Sequence, residues 1–147
     1  MIQQITRAVA RLETVLVVDD DPEWRNHLCR IVGREYPVIF ACGGDEALRI
    51  ASHTDTKVII LDVMMADGRD GFSTFYALKN CLETKNIPVI MLSGVNQAAD
   101  MQFSPGLMQQ YLNNAPFAFL EKPSTPVKLM KTIELAIDSV YSRKQPA

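Results

Sequence analysis

Apolar and polar positions change period along this chain, and the changes mark its elements. Thr14 to Val18 is a β-favouring apolar run that stops at Asp19, Asp20 and Asp21. Asp21 followed by Pro22 makes a good N-cap with proline at the first helical position, predicting a helix from Pro22 to about Glu35. Trp24, Leu28, Ile31 and Val32 are among its apolar positions. Pro37 to Ala41 reads as a second strand, broken by Gly43-Gly44, and Asp45 opens a helix that ends near His53. Lys57 to Leu61 is the third strand. Its unbroken apolar stretch, Val58 to Leu61, is the pattern of a strand covered on both faces, and Asp62 closes it. A helix from about Asp70 to Leu82 takes its apolar face from Phe72, Phe75, Tyr76 and Leu78. Pro88 to Leu92 is the fourth strand and runs into Ser93-Gly94. Residues 95–114, interrupted by Pro105-Gly106, read as a loop and a helix. Phe117 to Leu120 is a short fifth strand ending in Glu121-Lys122-Pro123. Thr125-Pro126 starts the last helix, with Val127, Met130, Ile133, Ile137 and Val140 at helical spacing.

Strands that alternate with helices in this way predict an α/β fold, a doubly wound parallel sheet with helices on both faces. In the common strand order 2-1-3-4-5, strands one, three, four and five lie side by side and present their carboxyl ends to one edge. Asp19, Asp20, Asp62, Ser93 and Lys122 then share a single rim. The domain is expected to occupy residues 14–142, with 143–147 as a disordered tail. Residues 1–13 form an extension in which Ile2, Ile5, Val9 and Leu12 have helical spacing. So short a helix needs a surface to dock on, either the domain or a second copy of the chain.

Composition narrows the function. A chain of 147 residues has room for one good core, and a formal charge of −2 offers neither a nucleic-acid surface nor a polybasic membrane patch. No apolar stretch reaches the length of a membrane span, and the N-terminus lacks the apolar segment of a signal peptide. Cys29, Cys42 and Cys81 are odd in number and widely spaced, which argues for reduced cysteines and a cytoplasmic protein rather than a disulfide framework or a zinc site.

The rim has the composition needed to move a phosphoryl group onto a carboxylate. Three adjacent aspartates repel one another, and a cation normally offsets that repulsion. An anionic nucleophile attacking an anionic phosphoryl group needs the same help, and Mg2+ takes hard oxygen ligands while keeping several waters. Asp20 and Asp62 suit direct ligation, Asp19 ligation through water, and the Met64 backbone carbonyl would complete the protein's share. Lys122 is a compact cation able to pair with a carboxylate and then with phosphoryl oxygens. Ser93 can donate a hydrogen bond to those oxygens. Asp62 is the candidate nucleophile.

These residues resemble the receiver domains of two-component response regulators. LVVDDDP is similar to the family's acidic-pair motif, LDVMMADGRDG to its phosphoacceptor motif, MLSG to its hydroxyl motif and FLEKP to its lysine motif. The resemblance spans about residues 14–142. It implies a flavodoxin-like receiver fold with Asp62 as phosphoacceptor, a magnesium site at Asp19, Asp20, Asp62 and the Met64 carbonyl, Ser93 as switch hydroxyl and Lys122 as phosphate-pairing lysine. It also implies a cis peptide before Pro123. The implied donor is a sensor histidine kinase or a phosphotransfer protein, and the implied recipient is an effector protein or an output domain outside this chain. Such a domain is not an enzyme beyond catalysing its own phosphorylation and dephosphorylation. In the family the phosphoryl group draws the hydroxyl inward, and an aromatic on the fifth strand follows. That position is Phe119 here. The face made by the helix within residues 95–114, the fifth strand and the last helix then changes, and it would also be the surface for a homodimer.

Two departures stand out. Ala66 replaces the family's usual proline, and the stretch between Ser93 and Phe119 is longer than usual, which alters the expected output face. Met64 and Val95 occupy the positions at which the family tunes hydrolysis. Neither can orient an attacking water, so a long-lived phosphoryl group is expected. Trp24 is expected to pack near the acidic loop without a role of its own, and His27 and His53 to be surface residues. Two other readings are a phosphate-independent binding module of the same fold and a metal-dependent phosphohydrolase. The latter would want a general-acid Asp where Met64 stands.

Overall fold

The computed structural model describes residues 13–65, 71–94 and 115–144. Five parallel strands form one sheet in the order β2-β1-β3-β4-β5. They are β1 (Thr14–Val18), β2 (Val38–Ala41), β3 (Thr56–Asp62), β4 (Val89–Gly94) and β5 (Ala118–Lys122). Four helices accompany them among the described residues: α1 (Pro22–Val32), α2 (Gly44–His53), α3 (Gly71–Lys79) and α4 (Pro126–Lys144). This is the flavodoxin-like α/β arrangement expected from the sequence.

The strand alternation sorts the core into two layers. Val15, Val17, Val58, Ile60, Ile90, Leu92 and Leu120 face one side, where Leu28, Ile31 and Val32 of α1 and Leu129, Ile133, Ala136 and Ile137 of α4 cover them. Leu16, Val18, Ile59, Leu61, Val89 and Met91 face the other, under Ala47 and Ala51 of α2 and Phe75 and Leu78 of α3. With period two on each strand and apolar residues on both phases, β1, β3 and β4 are buried on both faces.

Several helix limits differ from the expected ones. α1 ends at Val32 rather than Glu35: after Gly33 makes the last i→i−4 bond, to the Cys29 carbonyl, Arg34 and Glu35 donate only three residues back, to Ile31 and Val32. α3 ends at Lys79 rather than Leu82, and Leu82 is exposed. The chain instead closes a turn in which the Thr84 hydroxyl, fully buried, donates to the Leu78 carbonyl at 2.6 Å. Tyr76 and Val127, expected on apolar faces, are exposed; Leu129 and Ala136 take the inward positions of α4 that the wider spacing missed. α4 also runs on to Lys144, through residues expected in an unstructured tail. It is capped by Thr125, whose hydroxyl oxygen accepts from the Lys128 N–H at 3.2 Å. Residues 1–12, 66–70, 95–114 and 145–147, including the helical pattern of the extension, Ala66 and Val95, lie outside the described residues.

Thr84→Val keeps the shape of its side chain but leaves the Leu78 carbonyl without its donor in a buried place. The expected cost is about 1–2 kcal/mol, read as a fall in Tm of roughly 3–8 °C.

Candidate functional site

Sheet register brings the polar strand ends together. Val18 pairs with Leu61 across β1 and β3, so Asp19 leaves the sheet beside Asp62. Asp62 is level with Leu92 of β4, one residue before Ser93, and Gly94 is level with Lys122 of β5. Asp62 therefore has Asp19 on one side and the ends of β4 and β5 on the other.

Asp19 is fully buried and Asp62 nearly so, while Asp20 is partly exposed at the mouth. One carboxylate oxygen of each lies within 4.8 Å of the others. Lys122 reaches back from the end of β5 and donates to Asp19 Oδ2 at 2.9 Å, with Asp62 Oδ1 at 3.2 Å. The other Asp19 oxygen accepts from the Asp21 backbone N–H at 3.0 Å, and Asp21 in turn caps α1 by accepting from the Glu23 N–H. The peptide between Lys122 and Pro123 is cis.

The electrostatics follow from burial. Loss of water pushes the Asp62 carboxyl up to about 6 against the pull of the Lys122 ammonium; the charge of Asp19 adds to the rise, and a hydrogen bond from the Met64 backbone opposes it. Burial alone would lower the Lys122 ammonium, but its hydrogen bond to Asp19 and the charges of Asp62 and Asp19 outweigh that and hold it above its usual range. Asp62 is thus a more basic carboxylate than a surface aspartate.

Three carboxylates whose oxygens gather within 4.8 Å of one another are hard donors that fit a magnesium ion. Asp19 already holds a lysine and a backbone amide, so it suits ligation through water, leaving Asp20 and Asp62 to bind directly.

The structure brings Asp19, Asp20, Asp62 and Lys122 together. Ser93 stands at the same edge, partly exposed, one residue beyond Leu92, whose carbonyl accepts from the Val63 N–H. The Met64 side chain is exposed beside the rim. Phe119 points away from the buried Leu120, is exposed, and lies 6.5 Å from the ring of Phe72 between centroids.

Two neighbours were not legible as site residues. Trp24 has its ring centroid 5.1 Å from the Lys122 ammonium. Gly71 abuts the backbone of Asp62 and Val63 and donates its N–H to the Val63 carbonyl. Trp24 follows the acidic triplet closely, which is a usable signal; Gly71 carried none beyond closing the LDVMMADGRDG stretch as a glycine.

The family model described as response regulator receiver domain matches residues 15–134. The chain is 31% identical over 137 residues to the response regulator PleD of Caulobacter vibrioides, a match covering 88% of this chain and 28% of PleD. It is 30% identical over 135 residues to the response regulator GtcR of Aneurinibacillus migulanus, covering 91% of this chain and 51% of GtcR. The chain thus spans about half or less of these relatives. Among solved structures, the chemotaxis protein CheY4 of Vibrio cholerae superimposes with a TM-score of 0.70 at 29% identity, over 85% of this chain and 98% of that one. A CheY-like receiver domain protein of Methanospirillum hungatei JF-1 shares the fold, with a TM-score of 0.75 at 20% identity over 90% of this chain and 98% of that one. No helix among the described residues is long and apolar enough to cross a membrane.

Proposed function

Because the chain belongs to the response regulator receiver-domain family, whose members act as phosphoacceptors in signalling, we propose that Asp62 accepts a phosphoryl group from a sensor histidine kinase or a phosphotransfer protein. The observation that carries this reading is the nearly buried Asp62 carboxylate, ion-paired to Lys122 and flanked by Asp19 and Asp20.

An Asp62 carboxylate oxygen forms the new bond to phosphorus. The phosphorus–nitrogen bond of the donor phosphohistidine breaks, and its electron pair leaves on the imidazole. Asp20 and Asp62, with Asp19 through water and the Met64 carbonyl, would hold Mg2+, which when bound offsets the charge that gathers on the phosphoryl oxygens. Lys122 exchanges part of its pairing with Asp62 for a phosphoryl oxygen. Ser93 donates to another and moves toward it. That motion is the link to Phe119, whose inward turn would change the face of β5 and α4. The reader of that face is an effector protein, an output domain or a second copy of the chain.

Intact-protein mass after incubation with acetyl phosphate tests the proposal. One added phosphoryl group with Mg2+ present, and none with a chelator, is the expected result. No adduct under conditions where Mg2+ binding is demonstrated would instead support a phosphate-independent module.

Lifetime is a separate expectation. Met64 brings no group able to orient water, so the acyl phosphate should persist. Met64→Asn is expected to hasten its hydrolysis about tenfold, equivalent to ~1.4 kcal/mol off the barrier. Loss of the adduct followed by mass over time checks this, and an unchanged or slower decay would oppose it.

A further inference from the structure

We propose that Trp24 is a positioning residue for Lys122, holding the ammonium over the rim with the face of its indole ring. The inference rests on the reading of Lys122 as the phosphate-pairing lysine.

A lysine side chain has a long flexible stem, and its ammonium has three donors to place. Here two directions are set by carboxylates, Asp19 Oδ2 at 2.9 Å and Asp62 Oδ1 at 3.2 Å. The third contact is the indole of Trp24, with its centroid 5.1 Å from Nζ. That lies inside the range over which a ring quadrupole attracts a cation, and indole is the strongest such partner among the side chains.

The position of the ring follows from the start of α1. Asp21 caps the helix and Pro22 begins it, so α1 starts directly after the acidic pair. Side chains on a helix lean toward its N-terminus. A large residue in the first turn of α1 is therefore carried back over the rim. His27, one turn further on, meets the ring edge-on at 5.7 Å between centroids and 78° between planes, which limits where the indole can go. Trp24 is itself only partly buried, so core filling alone does not account for a tryptophan there.

The consequence concerns the moment of transfer. As Asp62 becomes an acyl phosphate it gives up its negative charge, and with it one of the three anchors of Lys122. Asp19 and the Trp24 ring remain. They keep the ammonium at the rim, ready for the phosphoryl oxygens, instead of letting the stem swing into solvent. An uncharged ring suits this task because it attracts the ammonium without competing with Mg2+ or repelling the incoming anion.

A double-mutant cycle on the full chain decides the matter, with the rate of adduct formation from acetyl phosphate and Mg2+ as readout. Trp24→Leu is expected to slow the reaction about fivefold, and Trp24→Phe to recover most of that loss. In a Lys122→Ala background, Trp24→Leu should change the rate by less than about twofold, because the ring then has no ammonium to hold. Equal slowing in both backgrounds would mean that Trp24 acts only through the fold, and no slowing in the parent background would mean that it does not act at all; either overturns the inference. An independent readout is the Lys122 side-chain proton resonances, expected to shift downfield in Trp24→Leu as the ring current is lost. If that shift occurs but the parent takes no phosphoryl group, the functional reading fails while the contact stands; without the shift, the inference fails whatever the rates.

Discussion

Asp62→Asn is expected to take up no phosphoryl group at all and, in buffer free of divalent cations at pH 7.5, to unfold at a higher temperature than the parent. The first half follows from chemistry, since the amide has no anionic oxygen to attack phosphorus. The second follows from burial. The Asp62 carboxyl is pushed up to about 6 by loss of water, above its ordinary value of 3.8 in an unfolded chain. A group that binds its proton more tightly in the folded state favours folding most when protonated in both states, below the unfolded value. That contribution is lost as pH rises through the window from 3.8 to about 6. Above the window the folded protein carries an ionised carboxylate where water is scarce, at a cost of about 2 kcal/mol once solvent screening at the open rim is allowed for. Asparagine removes that charge, and Lys122 keeps its hydrogen bond to Asp19. The gain in Tm should therefore be full above pH 6, shrink as the pH falls, and vanish near pH 4. Thermal melts of both proteins across that range, with a chelator present, check the sign. A variant less stable than the parent at pH 7.5 would mean that the ion pair with Lys122 outweighs the burial of Asp62.

This trade between stability and chemistry explains why the site was readable from the sequence. Carboxylates next to one another at the end of an apolar strand cost stability in isolation, so their presence called for a cation and a reaction. Asp19, Asp20, Asp62 and Lys122 each follow such a run, and the parallel sheet brings strand ends to one edge whatever the loops do. The limits of the helices were less legible because local signals there compete. Glu35 and Leu82 continue a helical pattern, but past Gly33 the chain tightens into i→i−3 turns, with the Arg34 and Glu35 N–H groups donating to the Ile31 and Val32 carbonyls, and Thr84 draws the chain after α3 back onto Leu78. Val127 shows the reverse error. Its spacing fits the apolar face, but it lies in the first turn of α4 and is exposed, while Leu129 and Ala136 face the sheet. Trp24 was visible as a residue and not as a partner, because nothing in the spacing of residues 24 and 122 says that β5 ends opposite the first turn of α1.

Gly71→Ala is expected to be the most damaging small substitution near the site, since it acts on Asp62 through the backbone. Gly71 is the first residue of α3, and its N–H donates to the Val63 carbonyl. A Cβ placed on it would stand 2.8 Å from Val63 Cα and 3.0 Å from the Asp62 carbonyl carbon, with the Asp62 carbonyl oxygen closer still. These are main-chain atoms of a strand end and cannot rotate aside as a flexible side chain would. The helix start and the end of β3 must therefore separate, at a cost of about 2–3 kcal/mol by comparison with other overpacked sites. The displacement also tilts Asp62 away from Lys122 and from the other carboxylates. Misplacing a reacting group by a fraction of an ångström is enough to slow transfer roughly tenfold. Thr84→Val provides the comparison, because it weakens the opposite end of the α3 region and should lower stability while leaving the phosphorylation rate within about twofold of the parent. Urea denaturation and the rate of adduct formation, measured on both variants, separate the two effects. If Gly71→Ala lowered stability but left the rate at that of Thr84→Val, the alanine would be accommodated by movement of α3 alone, and the hold of Gly71 on the phosphoacceptor would be refuted.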